Sequence, residues 1–142
     1  MISELEIKEA LFDEELKNEI HQGFKLHALA EIGHEWRLDT VAFVAKDEGN
    51  LAGACVMHVF WGAVHIKYLY VAEKYRKKHL GTNLITHAIQ YGLDHNCSFA
   101  LVETMSYQAL GFYQKLGFNL EFTQSGFSYG TSLHYLRKEI SS

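Results

Sequence analysis

Between Leu51 and Val71 two β-rich runs are separated by only Trp61-Gly62, and the second leads within a few residues into a helical pattern. No other feature constrains the fold as much. So short a connection forces Leu51–Phe60 and Ala63–Val71 to pair as antiparallel strands. Leu80, Leu84, Ile85, Ala88, Ile89 and Leu93 then recur on one face of a helix, and that face needs a sheet to cover. After Asn96, the short run Phe99–Val102 is wholly apolar, the pattern of a strand buried on both faces. Strand, helix and buried strand in that order imply a helix lying across a mixed sheet.

The flanking segments extend this plan. Ile2–Ile7 alternates apolar and acidic residues and reads as a short strand. Asp13 can cap a helix whose first turn holds Glu14 and Glu15 and whose apolar period runs from Leu16 toward His34. Thr40–Lys46 reads as a strand and Asp47-Glu48-Gly49-Asn50 as a turn. Tyr107–Leu116 is a short helix closed by Gly117, and Phe118–Phe122 and Ser132–Lys138 are two final strands. The expectation is one α/β (α+β) domain over residues 1–142, with a mixed, mostly antiparallel sheet of about six to seven strands flanked by helices.

The junction between the second strand and the helix carries the chemistry. Lys74, Arg76, Lys77 and Lys78 are four of the chain's 13 Lys and Arg residues, in a chain of net charge −4. A helix start exposes unpaired amides with a partial positive charge, and Gly81 lets a ligand approach them. With the cations, this is the chemistry of a phosphate site; its bland counterpart is a solvated basic turn. The G-x-x-x-x-G-K-[ST] pattern is absent, and a lone Gly81 makes no dinucleotide fingerprint. Overall acidity argues against general nucleic-acid binding.

Other classes fall away on the same reading. The 9 histidines show no metal-ligand spacing, so no metal is expected. No apolar run approaches the ~18 residues of a membrane span, and Met1–Phe12 does not read as a signal peptide, so a cytoplasmic protein is the expectation. Cys55 and Cys97 lie in apolar contexts and read as buried free thiols.

The stretch "YLYVAEKYRKKHLGTNLI" resembles the acetyl-CoA loop of the GNAT superfamily of N-acetyltransferases, [RQ]-x-x-G-x-[GA] following a strand that ends in valine. Arg76, Leu80 and Gly81 fit. Downstream, "SYQALGFYQKLGF" is similar to the family's N-x-x-A-x-x-x-Y-x-x-x-G-F, with Ala109, Tyr113, Gly117 and Phe118 in register. The resemblance implies that the backbone of Leu69, Tyr70 and Val71 bonds the pantetheine arm where this strand splays from the one containing Phe99–Glu103. It implies that amides from Arg76 through Lys77, Lys78, His79, Leu80 and Gly81 to Thr82 hold the pyrophosphate, and that Tyr113 sits near the sulfur. His79 stands where the pattern has its first glycine; left-handed backbone there would cost roughly 1–2 kcal/mol. Ser106 stands where asparagine is usual and keeps one hydrogen bond to the cofactor arm rather than two.

The reaction the resemblance implies is direct attack of a primary amine, on a small molecule or a peptide, on acetyl-CoA in a ternary complex. Freeing an alkylamine from its proton at pH 7 costs about 4–5 kcal/mol. Glu103, at the end of the apolar strand, is the first candidate base and His65 the second; their ordinary roles would be a solvated strand end and a sheet-surface residue. Tyr113 is the candidate general acid, against plain aromatic packing. By analogy with the family, His21–Arg37 and Gln124–His134 flank the acceptor, and a homodimer forms through the late strands. The competing readings are a non-catalytic acyl-CoA-binding sensor and a nucleotide-binding phosphate domain.

Overall fold

The computed structural model describes residues 4–141, and the chain divides between Arg37 and Leu38 into two compact units. In the first, α1 spans Glu14–Ile32. Asp13 caps it as its residue type predicts: the Leu16 N–H donates to Asp13 Oδ1 at 2.9 Å, with Glu14 and Glu15 in the favourable first turn. The helix stops at Gly33, whose left-handed backbone (φ 75°) lets its N–H return to the Leu29 carbonyl, so the apolar period does not reach His34. Trp36 then turns back to set its ring edge-on to His21 and Phe24. The strand expected over Ile2–Ile7 is corrected: residues 1–3 lie outside the described chain, and Glu4–Ile7 form no strand. Alternation alone cannot make a strand without a neighbour to pair with.

The second unit holds β1 (Asp39–Asp47), β2 (Asn50–Phe60), β3 (Ala63–Val71), α2 (Leu80–Asp94), β4 (Phe99–Met105), α3 (Leu110–Lys115), β5 (Asn119–Gln124) and β6 (Leu133–Glu139). These strands form one six-stranded sheet in the order β1-β2-β3-β4-β6-β5. Every neighbouring pair is antiparallel except β3–β4, which α2 makes parallel by crossing between them. Both early hairpins turn on two residues with positive φ, Glu48-Gly49 and Trp61-Gly62, the backbone signature of a type I′ turn.

The core lies between the sheet and α2. Met57, Val64, Ile66, Leu84, Ile85, Val102, Phe118 and Leu136 are buried there; each such side chain contributes roughly 1.5–3 kcal/mol. Gly92 sets the spacing: a Cβ at that position would lie 2.3 Å from Val64 Cγ2, so only glycine lets α2 approach β3 this closely. Cys55 and Cys97 are buried free thiols, as expected. The burial around Cys55 pushes its thiol up to about 11.

Candidate active site at the parting of two parallel strands

The parallel pairing of β3 with β4 is short. It begins at Ala63 opposite Phe99 and ends at Ile66 opposite Val102. Beyond Ile66, β3 stays paired with β2 as far as Val71 but no longer with β4. The parting coincides with a bulge: Met57 of β2 faces Ile66 while Val56 faces Tyr68, leaving Lys67 as the extra residue. A bulge bends and twists its strand, which turns β3 away from β4 at this point. The fork expected between Leu69–Val71 and the strand of Glu103 is therefore present.

At the mouth of the fork lies a cleft of about 1040 Å³. Its walls bring together Leu69, Tyr70, Val71, Arg76, Lys77, His79, Leu80, Gly81 and Thr82, all expected around a cofactor. Lys78 and Ser106 are exposed and do not line it. The Ser106 hydroxyl accepts the Ser132 N–H at 3.0 Å, and the Ser106 N–H donates to the Ser132 carbonyl, so this serine ties β4 to the start of β6. Sequence reasoning missed Tyr75, Tyr107, Gln108, Phe112 and Lys115, which also line the cleft. The GFY register of α3 offered a signal for Phe112; nothing marked Gln108.

The first helical bond of α2 runs from the Asn83 N–H to the His79 carbonyl, so the amides of Leu80, Gly81 and Thr82 precede it and open toward the cleft they line. Gly81 is needed for packing as well as access, since a Cβ there would come within 3.3 Å of Phe112 Cζ. His79, the helix N-cap, adopts φ 62°, ψ 14°, and Lys77 has φ 61°. The left-handed backbone that favours glycine is thus carried by two ordinary side chains, at roughly 1–2 kcal/mol each. Arg76, just before them, folds back, its Nε donating to the Val71 carbonyl at 3.1 Å. Lys77 and Lys115 line the cleft along with Arg76 and the amides that open α2.

His65 and Glu103 meet at the apex of the fork. His65 precedes the last paired residue of β3 and Glu103 follows the last paired residue of β4. Their Nε2 and Oε2 atoms are 2.8 Å apart, with His65 20% and Glu103 39% exposed in their side chains. A carboxylate only accepts, so Nε2–H donates to Glu103, which leaves Nδ1 as the ring nitrogen turned away from the pair. The two candidate bases form one pair, on the sheet face opposite the one that packs on α2. His58 lies directly across β2 from His65, with the rings edge-on at 6.2 Å.

Tyr113 is placed differently. It is 4% exposed, packed edge-on against Phe112 and Phe118 within the core, and does not line the cleft. Burial, with a smaller contribution from Cys55, holds its phenol well above the ordinary tyrosine range. Its hydroxyl stays protonated at any ordinary pH.

Residues 6–118 match the sequence profile of the acetyltransferase (GNAT) family. The chain belongs to the GNAT family. A blasticidin-S acetyltransferase of Streptomyces morookaense is 34% identical to it over 99 residues, 69% of this chain and 73% of the relative. The GNAT fold is shared with a crystal structure from Agrobacterium tumefaciens assigned as an acetyltransferase, at a TM-score of 0.81 and 24% identity, over 95% of this chain and 98% of that one. A Bacillus anthracis protein assigned as a streptothricin acetyltransferase, solved with acetyl coenzyme A, superposes at a TM-score of 0.65 and 22% identity over 71% of this chain and 62% of its own. As a GNAT, the chain is an acetyl-CoA-dependent acetyltransferase. Among the described residues no group of acidic, histidine and cysteine side chains is arranged to hold a metal, and no helix is long and apolar enough to cross a membrane.

Proposed function

We propose that this GNAT transfers the acetyl group of acetyl-CoA to a primary amine of a small molecule or peptide by direct attack, and that residues 1–142 act as one domain in doing so. The observation that carries the reading is the His65–Glu103 pair at the apex of a fork whose mouth is lined by the free amides of α2. The residues fit the donor. The amides of Leu80, Gly81 and Thr82, with Lys77, suit a diphosphate. The backbone of β3 beyond Ile66 offers peptide groups to the amides of a pantetheine arm, as an open sheet edge does to an added strand.

Bound there, the thioester supplies an activated acyl carbon, and thiolate is already a tolerable leaving group. The chain's own part is the proton. His65, held in one tautomer by Glu103, accepts it from the ammonium directly or through a water, and Glu103 stabilises the resulting imidazolium. The free amine nitrogen bonds to the acyl carbon, the C–S bond breaks, the proton that the nitrogen sheds passes to the leaving sulfur, and the thiol and the amide leave.

The relative named as a blasticidin-S acetyltransferase favours a small-molecule acceptor, and the chain's net charge of −4 favours a cationic one. The test is thiol release from acetyl-CoA across a panel of antibiotic amines, polyamines and peptide N-termini. Turnover with at least one amine class is expected. Tight coenzyme A binding with no turnover across the panel would overturn the transferase reading.

A further inference from the structure

We propose that Asp47, at the β1–β2 hairpin, is a positioning residue for the diphosphate loop and acts through the hydroxyl of Tyr75. The inference rests on the assignment of that loop to coenzyme A in the preceding section.

The loop between β3 and α2 has a problem that its sequence does not solve. Lys77 and His79 both hold left-handed backbone without glycine. Free in solution, such a segment relaxes to extended or right-handed conformations, and the amides before α2 would no longer converge. Something must hold it. Inside the loop, the Tyr75 N–H returns to the Ala72 carbonyl at 2.8 Å and the Arg76 N–H to Glu73 at 3.2 Å, closing one turn of 3₁₀ helix just before the strained residues. These local bonds shape that turn without fixing where it sits.

The Ala72 N–H anchors the start of the segment to the Ala52 carbonyl of β2 at 2.8 Å, and one side-chain bond ties the turn itself to a further element. The Tyr75 hydroxyl donates to the Asp47 carboxylate, and this bond raises the Tyr75 phenol. Asp47 is the last residue of β1, directly opposite Asn50 across a two-residue turn with φ 49° at Glu48 and 83° at Gly49. The carboxylate is thus carried by a paired strand end rather than by the loop it contacts. Tyr75 also lines the cleft, and Lys74 stands over its ring at 5.6 Å. One aromatic ring therefore joins the hairpin, a loop cation and the cofactor wall. Asp47 does not line the cleft; an anion there would repel a diphosphate directly, so its contribution runs through the tyrosine.

The experiment measures coenzyme A affinity by calorimetry and steady-state kinetics on the full chain. Asp47→Ala is expected to raise the Kd for coenzyme A and the KM for acetyl-CoA roughly tenfold, the scale of one lost hydrogen bond to a charged group, with kcat at saturating acetyl-CoA unchanged. Asp47→Asn, which keeps an acceptor oxygen, is expected to restore most of the affinity. In a Tyr75→Phe background, Asp47→Ala should have no further effect. Amide hydrogen exchange across residues 73–82 should speed up in Asp47→Ala while the sheet stays protected. Wild-type affinity in Asp47→Ala, or an equal loss with and without the Tyr75 hydroxyl, would overturn the proposal. Failure of the wild-type chain to bind coenzyme A would instead remove the assignment of the loop itself.

Discussion

His65 and Glu103 are 38 residues apart in the chain and 2.8 Å apart in the fold, joined across the last rung before two parallel strands separate. In the proposed reaction they act as one unit, and that predicts how they fail. His65→Ala or Glu103→Gln should each lower kcat by about 10²–10⁴-fold, with the Kd for coenzyme A little changed. The double variant should fall no further than His65→Ala alone. Losses that multiply in the double variant would show two independent groups.

His79 carries a conformational penalty that glycine would not. His79→Gly should stabilise the chain by about 0.5–1 kcal/mol, the relief at φ 62° less the extra freedom of glycine in the unfolded chain. In a protein of this length that is a Tm gain of about 1–4 °C by thermal denaturation. A β-branched residue should act in the opposite direction, and His79→Val melting at or above the wild-type temperature would contradict the strain.

Gly92 is a packing residue. Gly92→Ala puts a methyl 2.3 Å from Val64 Cγ2, and one element must shift. A loss of about 1–3 kcal/mol in denaturant unfolding is expected. Val64→Ala in the same chain should recover part of it, since it removes the opposing atom.

Burial of Cys55 makes stability depend on alkaline pH. Its thiol is raised from 9.0 to about 11 by desolvation. The unfolded chain releases this proton at lower pH than the folded one. Stability from this group is therefore complete below pH 9.0 and is lost as pH rises toward about 11. That interval corresponds to about 3 kcal/mol. Urea unfolding on both sides of it should show the decline, and Cys55→Ala should flatten it.

Much of this site can be read from residues alone, and the boundary has physical reasons. The Trp61-Gly62 turn, the apolar face of α2 and the buried run at Phe99 are set by local pattern, and β3 emerges over Ala63–Val71 as expected. Glu103 and His65 were separable as candidates by position along their strands. Their contact was not, because it depends on the parallel register of β3 and β4, which crosses a helix and leaves no trace in either strand. The bulge at Lys67 is equally silent, since it changes no residue type. Tyr75 reaching Asp47 is a contact between loops far apart in sequence. Ile2–Ile7 had the alternation of a strand, but Glu4–Ile7 find no partner. His79 is the opposite case: a histidine where the motif has glycine marks the strained position in the sequence itself.

The early end of the β3–β4 ladder leaves an open rim of peptide groups in the middle of a sheet rather than at its border. A donor arm seated in that rim would complete the sheet like a short borrowed strand, and each release of product would uncover it again. Donor binding would therefore add stability to the folded chain by mass action, and the melting temperature would rise with the concentration of free acetyl-CoA.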